Sequence, residues 1–256
     1  MAEHTVLLAL AVETGYRLQE SGAEIYRVEE AVRRIFQAYG VDGGQVFAIP
    51  NCLIVSVIDN DGRPITRLRR IPAHGTDINR MERVYDYCRQ VCRETPDPDD
   101  ALKRLRALDA EHPNFPLWLQ MAGYFVGTGS FALFWGGGVS DALAGGLCGV
   151  AIGLCLTFME RLGANLFVRT VIAAFVSAFL AVALVRLGLG ENTNYITIGA
   201  LMALVPGLVF TNFMRDIMAG DTVAGLIKLV EALLTAGAIA IGTYIAMALA
   251  AGLWGG

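Results

Sequence analysis

Charge is divided so unevenly along this 256-residue chain that one polypeptide must be matched to two solvents. Residues 1–116 hold 33 of its 44 Asp, Glu, Lys and Arg side chains, 15 basic and 18 acidic, and the last 140 residues hold only 11. The averages, 55% hydrophobic residues and a mean hydropathy of +0.51, hide that split. A soluble surface needs charge throughout, so the pattern predicts a water-soluble part followed by a lipid-soluble one. The expected boundaries are a soluble domain over 1–112, a linker over 113–116 and a membrane domain over 117–256.

A hydrocarbon core about 30 Å thick needs about 20 apolar residues per helix. Five stretches meet that length, at about 117–135, 142–159, 166–185, 195–214 and 222–254. The first contains Gln120. The third carries Arg169 near its start, within snorkelling reach of the interface. The fifth holds Lys228 and Glu231 and is long enough to tilt or to project into water. The fold class that follows is a polytopic α-helical membrane protein with five transmembrane helices and an N-terminal cytosolic α+β domain. No signal peptide is evident at the start of the sequence. Lys103, Arg104 and Arg106 precede the first span, and Arg161 and Arg215 follow the second and fourth. Basic residues favour the inner side, which places the N-terminus in the cytosol and the C-terminus outside; Arg186, after span three, runs against this. The expected location is the cell inner membrane, crossed several times.

In the soluble part, "EIYRVEEAVRRIFQAYG" spaces Ile25, Val28, Val32, Ile35, Phe36 and Tyr39 along one helical face that closes at Gly40. A helix over about 5–20 precedes it. "QVFAIPNCLIVSVIDNDGRPITRLRRI" reads as short β-branched strands broken at Pro50 and at an Asn60-Asp61-Gly62 turn. A further helix starts near Asp77 with Ile78, Met81, Val84, Tyr85, Cys88 and Cys92 on one face. "PDPDDALKRLRAL" makes a last short helix, acidic at its start and basic at its end. Cys88 and Cys92 have helical spacing, but no second pair or convergent His joins them, so core packing is expected and no metal. Acids outnumber bases in this domain, which argues against nucleic-acid binding. No phosphate loop, nucleophile elbow or ATP motif is present, so neither catalytic residues nor a cofactor are expected, and the protein is not read as an enzyme. Glu24 and Glu29, five apart, are poorly placed to converge from one helix. Pairs such as Glu29–Arg33 and Glu30–Arg34 fit an ordinary solvated face.

The membrane part holds 22 of the 29 glycines. Gly145, Gly149 and Gly153 recur every four residues, as do Gly123 and Gly127, giving small faces that let backbones approach. The polarity there concentrates in "PGLVFTNFMRDIMAGDTVAGLIKLVEALL". Pro206 and Gly207 break or kink the fourth span near mid-depth, where broken helices expose backbone groups to substrates. Asn212 and Asp216 share a face, Asp221 can cap the last span, and Lys228 and Glu231 lie three apart well inside it. Buried charge in lipid is costly, and together these residues, the Asp221 cap apart, mark a permeation pathway. Arg169 and Arg215 are further cations for an anionic substrate.

That segment resembles the signature of the threonine/serine exporter (ThrE) family, which Pro206, Gly207, Asn212, Asp216, Gly220 and Asp221 match. "SGAEIYRVEEAVRRIFQAYG" resembles the family's N-terminal motif, with Gly22, Glu24, Arg27 and Glu29 in place and no role assigned to them. "LRRIPAHGTDINRMERV" is similar to the segment after the strands. Ten-span members carry two five-helix halves, so one such set resembles the larger subunit of the split members, which works with a smaller polytopic protein. The resemblance implies export of a dicarboxylate such as succinate, or of threonine or serine, with energy from the proton-motive force. On this reading Glu231 couples protons, while Lys228 and Asn212 contact substrate at the Pro206 break. The expected partners are that small-molecule substrate, the lipid bilayer and either a second polytopic protein or further copies of this chain. A membrane-anchored sensor or scaffold is the alternative, and solute flux separates the two.

Overall fold

The apolar run after Thr5 forms the middle of the first helix, where both flanks are covered by protein. In the computed structural model, which describes residues 2–59, 61–72, 75–111 and 115–254, α1 (Ala2–Glu20) has Leu8, Leu10 and Leu18 fully buried. Side chains of that size stabilise a fold by about 1.5–3 kcal/mol each when removed from water. Helix α2 (Ile25–Ala38) turns its apolar stripe inward, with Ile25, Val28, Ala31, Val32, Ile35 and Phe36 all buried. It ends as the sequence requires, at Gly40 with φ +69°, a conformation that glycine adopts without steric cost.

Strands β1 (Gln45–Ile49), β2 (Cys52–Ile58) and β3 (Pro64–Arg70) form an antiparallel meander in that order. Leu53 pairs with Ala48 and Arg69, and Val55 with Val46 and Arg67. Leu53, Val55 and Val57 alternate into the core, as a sheet covered on one face dictates. Gly15 of α1 lets the sheet approach, since a Cβ there would lie 2.6 Å from the Leu53 side chain. At the β2–β3 turn, Asp59 Oδ1 accepts the Asp61 and Arg63 N–H groups, which holds its carboxyl below the ordinary value. Asn60 of the expected turn lies outside the described residues, as do 113 and 114 of the expected linker.

Helix α3 (Ile78–Glu94) starts at Asp77, whose side chain accepts the Arg80 N–H at 2.9 Å. Its face is narrower than the spacing predicts: Val84, Cys88 and Val91 are buried, whereas Ile78 is 59% exposed. Ile78 belongs to the first turn, where it lines an open groove beside α2. Helix α4 (Pro98–Glu111) runs past the basic residues expected to end it, so Lys103 pairs back to Asp99 at 2.6 Å in mid-helix.

Residues 1–113 and 209–229 form one compact unit, and 114–208 with 230–256 form another. The core of the first unit thus includes a segment from far along the chain, with Ala224 buried in the same cluster as Leu8, Val28 and Leu53.

The second unit contains α5 (Leu117–Phe134), α6 (Val139–Arg161), α7 (Leu166–Arg186), α8 (Thr193–Leu201) and the later part of α10 (Thr222–Trp254). By length and composition, three helices among the described residues can cross a membrane: α6, α7 and α10. Helix α5 has 18 residues but includes Gln120, Tyr124, Thr128 and three glycines. The fourth expected stretch, 195–214, is not one helix. It divides into α8, of nine residues, and α9 (Gly207–Ala219), of 13. Neither alone reaches the roughly 20 residues a bilayer requires. Pro206 supplies the reason, because it has no N–H for the α8 ladder to continue through.

The exterior of this unit is apolar: Trp118, Val126, Phe134, Val139, Phe158 and Leu162 are all exposed. Its interior is made of small residues, the pattern expected where lipid outside removes the hydrophobic driving force and close contact replaces it. Gly145, Gly149 and Gly153 of α6 face Ala132, Thr128 and Tyr124 of α5. Thr128 Oγ1 adds a hydrogen bond to the Gly145 carbonyl at 2.9 Å. Asp141, 2% exposed, has its carboxylate fully engaged, accepting the N–H groups of Gly138, Glu191 and Asn192. It is a structural anchor for the α7–α8 loop that the sequence reading did not single out.

Candidate functional site

The polar segment after Pro206 folds into a helical hairpin. Gly220, with φ +97°, ends α9. The Asp221 N–H reaches the Asp216 carbonyl at 2.9 Å, and the Gly220 N–H reaches the Ile217 carbonyl at 3.1 Å. That pair of bonds satisfies carbonyls the helix end would leave open and reverses the chain. Asp221 takes the residue before α10, its own carbonyl accepting the Gly225 N–H at 3.0 Å. Gly225 then permits tight apposition, since a Cβ there would meet Ile217 at 2.5 Å and the Phe213 carbonyl at 3.1 Å.

The reversal sets Asp216 against Lys228. Lys228 Nζ lies 2.6 Å from Asp216 Oδ2, with the two residues 8% and 0% exposed. Asp216 Oδ1 is also buried and has no hydrogen-bond partner among the described residues. An ionised carboxylate with a spare buried oxygen is poorly compensated, since such groups normally satisfy both oxygens. Asn212 is half-buried one turn earlier on α9.

The N-terminal motif meets this hairpin. Glu24, at the start of α2, is held by Arg27 at 3.3 Å and also pairs with Arg215 of α9, 191 residues away. Glu29 accepts the Ala48 N–H at 3.0 Å and pairs with Arg33. Its carboxyl is pushed above the ordinary value by burial first, with the Asp221 carboxylate adding to the effect. Asp221 is raised likewise, by burial and then by Asp216. Gly22 serves the backbone: its φ is +86°, and a Cβ there would lie 2.4 Å from the Gly75 carbonyl.

The raised Glu29 carboxyl predicts a pH dependence. Folding favours its protonated form, so its contribution is fully present below the unfolded carboxyl range and is lost as pH rises through the folded value. Glu29→Gln is expected to flatten this loss of stability with rising pH. Thermal unfolding of both proteins across the mildly acidic range checks it, and an unchanged slope would assign the dependence to another group.

The structure therefore joins Glu24, Arg27 and Glu29 to Arg215, Asp216, Asp221 and Lys228. Other residues expected in the pathway lie elsewhere. Arg169, in the second unit, is 3.5 Å from Glu160 across the α6–α7 turn. Glu231 is half-buried one turn beyond Lys228 on α10, and its carbonyl accepts the Thr235 hydroxyl at 2.9 Å. Pro206 and Gly207 form the break before α9. The i,i+3 spacing links Lys228 with Glu231; a reversal at Gly220, legible as a glycine between two helical stretches, is the signal that Asp216 faces Lys228 instead.

A family model described as "Putative threonine/serine exporter" (ThrE) matches residues 9–250. A "Probable threonine/serine exporter" of Mycobacterium tuberculosis is 22% identical over 242 residues, covering 94% of this chain and 46% of that one. The "Probable succinate transporter subunit YjjP" of Klebsiella aerogenes is 23% identical over 255 residues, 99% of this chain and 96% of that one. "Pheromone-regulated membrane protein 10" of Candida albicans is 25% identical over 225 residues, covering 83% of this chain and 20% of that one. The chain thus spans about half of the mycobacterial relative and nearly all of the Klebsiella one. No solved structure gives a significant match.

Proposed function

The chain belongs to the threonine/serine exporter (ThrE) family, and on that premise we propose that it is a subunit of a secondary exporter of small polar metabolites driven by the proton-motive force. The substrates named for its relatives, threonine, serine and succinate, all carry a carboxylate. The observation that carries the reading is the buried Asp216–Lys228 pair with its unsatisfied oxygen. A buried ion pair is a weak source of stability, because desolvation offsets most of the attraction. It is well suited to exchange. A substrate carboxylate that displaces Asp216 from Lys228 leaves the buried charge balanced, provided Asp216 then takes a proton. Substrate entry and proton uptake are thereby tied to one side-chain pair. Asn212, one turn along the same face, adds a hydrogen-bonding group, and Glu231, deeper in α10, passes the proton on.

In this reading residues 1–112 are cytosolic and five crossings follow, the fourth interrupted at Pro206, with the C-terminus outside the inner membrane. A relative of matching length is named as a subunit, which supports a smaller polytopic partner; further copies of this chain are the other way to complete a pathway. The test is flux of labelled succinate and threonine in vesicles, with and without the co-purifying partner, under an imposed pH gradient. Glu231→Gln is expected to lower gradient-driven flux about a hundred-fold, the scale of losing one proton-transfer group, while the complex still assembles. Full flux by that variant would remove Glu231 from the coupling route. No flux of either substrate by any assembly would leave a sensor or scaffold.

A further inference from the structure

Outside the hairpin, the first unit contains an open groove of about 1140 Å³ between α2 and α3. It exists because small residues meet where the two helices touch: Cys88 Sγ lies 3.8 Å from the Ala31 carbonyl, and longer side chains splay around that contact. Four arginines reach its lining, Arg27 and Arg34 from α2 and Arg89 and Arg93 from α3, against two carboxylates, Glu30 and Glu82. Within the lining itself, cationic side chains outnumber anionic ones. Three of the arginines are partly neutralised, by Glu24, Glu30 and Asp86. Arg93 donates through Nε to the Arg89 carbonyl at 3.3 Å, which leaves its terminal guanidinium nitrogens for an outside acceptor.

The remaining lining is aromatic and apolar. Tyr26 and Tyr85 contribute rings, and Ile78 and Met81 apolar surface. The exposure of Ile78, which the helical face alone does not explain, is accounted for by its place here. The Tyr85 hydroxyl oxygen is buried with no hydrogen-bond partner among the described residues, an arrangement that costs about 1–3 kcal/mol unless an acceptor arrives. Aromatic and apolar lining, guanidinium groups from both helices and an unsatisfied hydroxyl donor define the ligand's chemistry: a planar ring for the apolar lining and an anionic group for the donors.

We propose that the α2–α3 groove is a binding site for a small aromatic anion, separate from the Asp216–Lys228 pair. Arg93 and Arg34 hold the charged group, Tyr85 donates to it, and Tyr26, Met81 and Ile78 cover the ring. Two ligand sources share this chemistry, a nucleoside monophosphate and an aryl carboxylate. The lining also supplies its own reporter. Cys92 is half-buried in the groove, and the neighbouring Cys88 thiol draws the Cys92 thiol below the ordinary value, with Arg34 adding to the effect. Partial exposure and a lowered thiol suit Cys92 to a neutral alkylating reagent.

The experiment follows iodoacetamide modification of each cysteine by mass spectrometry in the full-length protein, in detergent. Probes are adenosine monophosphate and benzoate, with adenosine and inorganic phosphate as controls lacking one half of the chemistry. At least one probe is expected to slow Cys92 modification several-fold at millimolar concentration without changing Cys52, and both controls are expected to do far less. Arg93→Ala is expected to weaken that protection about ten-fold, and Tyr85→Phe by a smaller factor, with the unmodified rate at Cys52 reporting an intact fold. Protection by adenosine monophosphate alone identifies a nucleotide site, and protection by benzoate alone an aryl carboxylate site. Protection by neither probe, or equal protection by the controls, overturns the proposal. Undiminished protection in Arg93→Ala also overturns it. None of these outcomes depends on transport, so the exporter reading stands or falls separately.

Discussion

Asp216→Asn is expected to be the most damaging single substitution in the chain, because it leaves the Lys228 ammonium buried opposite a neutral amide. Removing one member of a buried ion pair costs about 3–5 kcal/mol, which for a chain of this size lowers the unfolding midpoint on the order of 10 °C. Lys228→Met on its own strands the Asp216 carboxylate, whose second oxygen already lacks a partner among the described residues, and a loss of similar size is expected. Removing both charges separates structure from function. Asp216→Leu combined with Lys228→Met is expected to recover most of the lost stability, as apolar replacements of buried pairs often do, while transporting nothing. Thermal unfolding in detergent and vesicle flux are the two measurements. Flux retained in the double variant would make the pair structural only. A stable Asp216→Asn protein would mean that Lys228 finds another counter-charge.

The second large effect is expected at Gly149. A Cβ placed there would lie 2.1 Å from Thr128 Oγ1, 2.7 Å from Thr128 Cγ2 and 2.8 Å from the Tyr124 carbonyl. Thr128 is poorly placed to yield, because its hydroxyl is bonded to Gly145 and Tyr124 carbonyls at 2.9 and 2.7 Å. Gly149→Leu must therefore push α5 and α6 apart, at about 1–3 kcal/mol for overpacking and more where backbone has to move. The expected result is loss of monodisperse protein on extraction. Gly127→Leu is the control. It belongs to the other glycine pair of the same four-residue spacing, yet a Cβ there meets nothing within 4 Å, and it lines a groove of about 400 Å³ beside Thr128 and Phe131. Its unfolding midpoint is expected to stay within a few degrees of the parent. Equal damage from both would mean that glycine acts here through backbone freedom rather than contact.

This contrast marks where sequence reasoning stops. The spacing of Gly123–Gly127 and of Gly145–Gly149–Gly153 is the same, and each repeat announces a small face. Which face meets a helix inside the chain depends on how α5 and α6 roll against each other, and no local pattern encodes that. The apolar stripe of α2 was legible because a 3.6-residue period is a local property that burial simply ratifies. The start of α3 at Asp77, the stop of α2 at Gly40 and the interruption at Pro206 were legible for a related reason, since caps and missing N–H groups act within one turn. Ile78 escapes the same rule, because helical phase does not tell a packed position from one that lines an open groove.

By itself, then, the sequence determined that this chain divides into a charged part and an apolar part, and that the stretch after Tyr195 is interrupted at Pro206. These follow from residue chemistry and steric rules that operate over a few positions. Only the tertiary structure decided that Asp216 faces Lys228, that Glu24 of the N-terminal motif pairs with Arg215, and that Asp141 is an anchor rather than a site. Each of those depends on two segments distant in sequence being brought to one place, and a side chain's partner is set by what the fold buries opposite it.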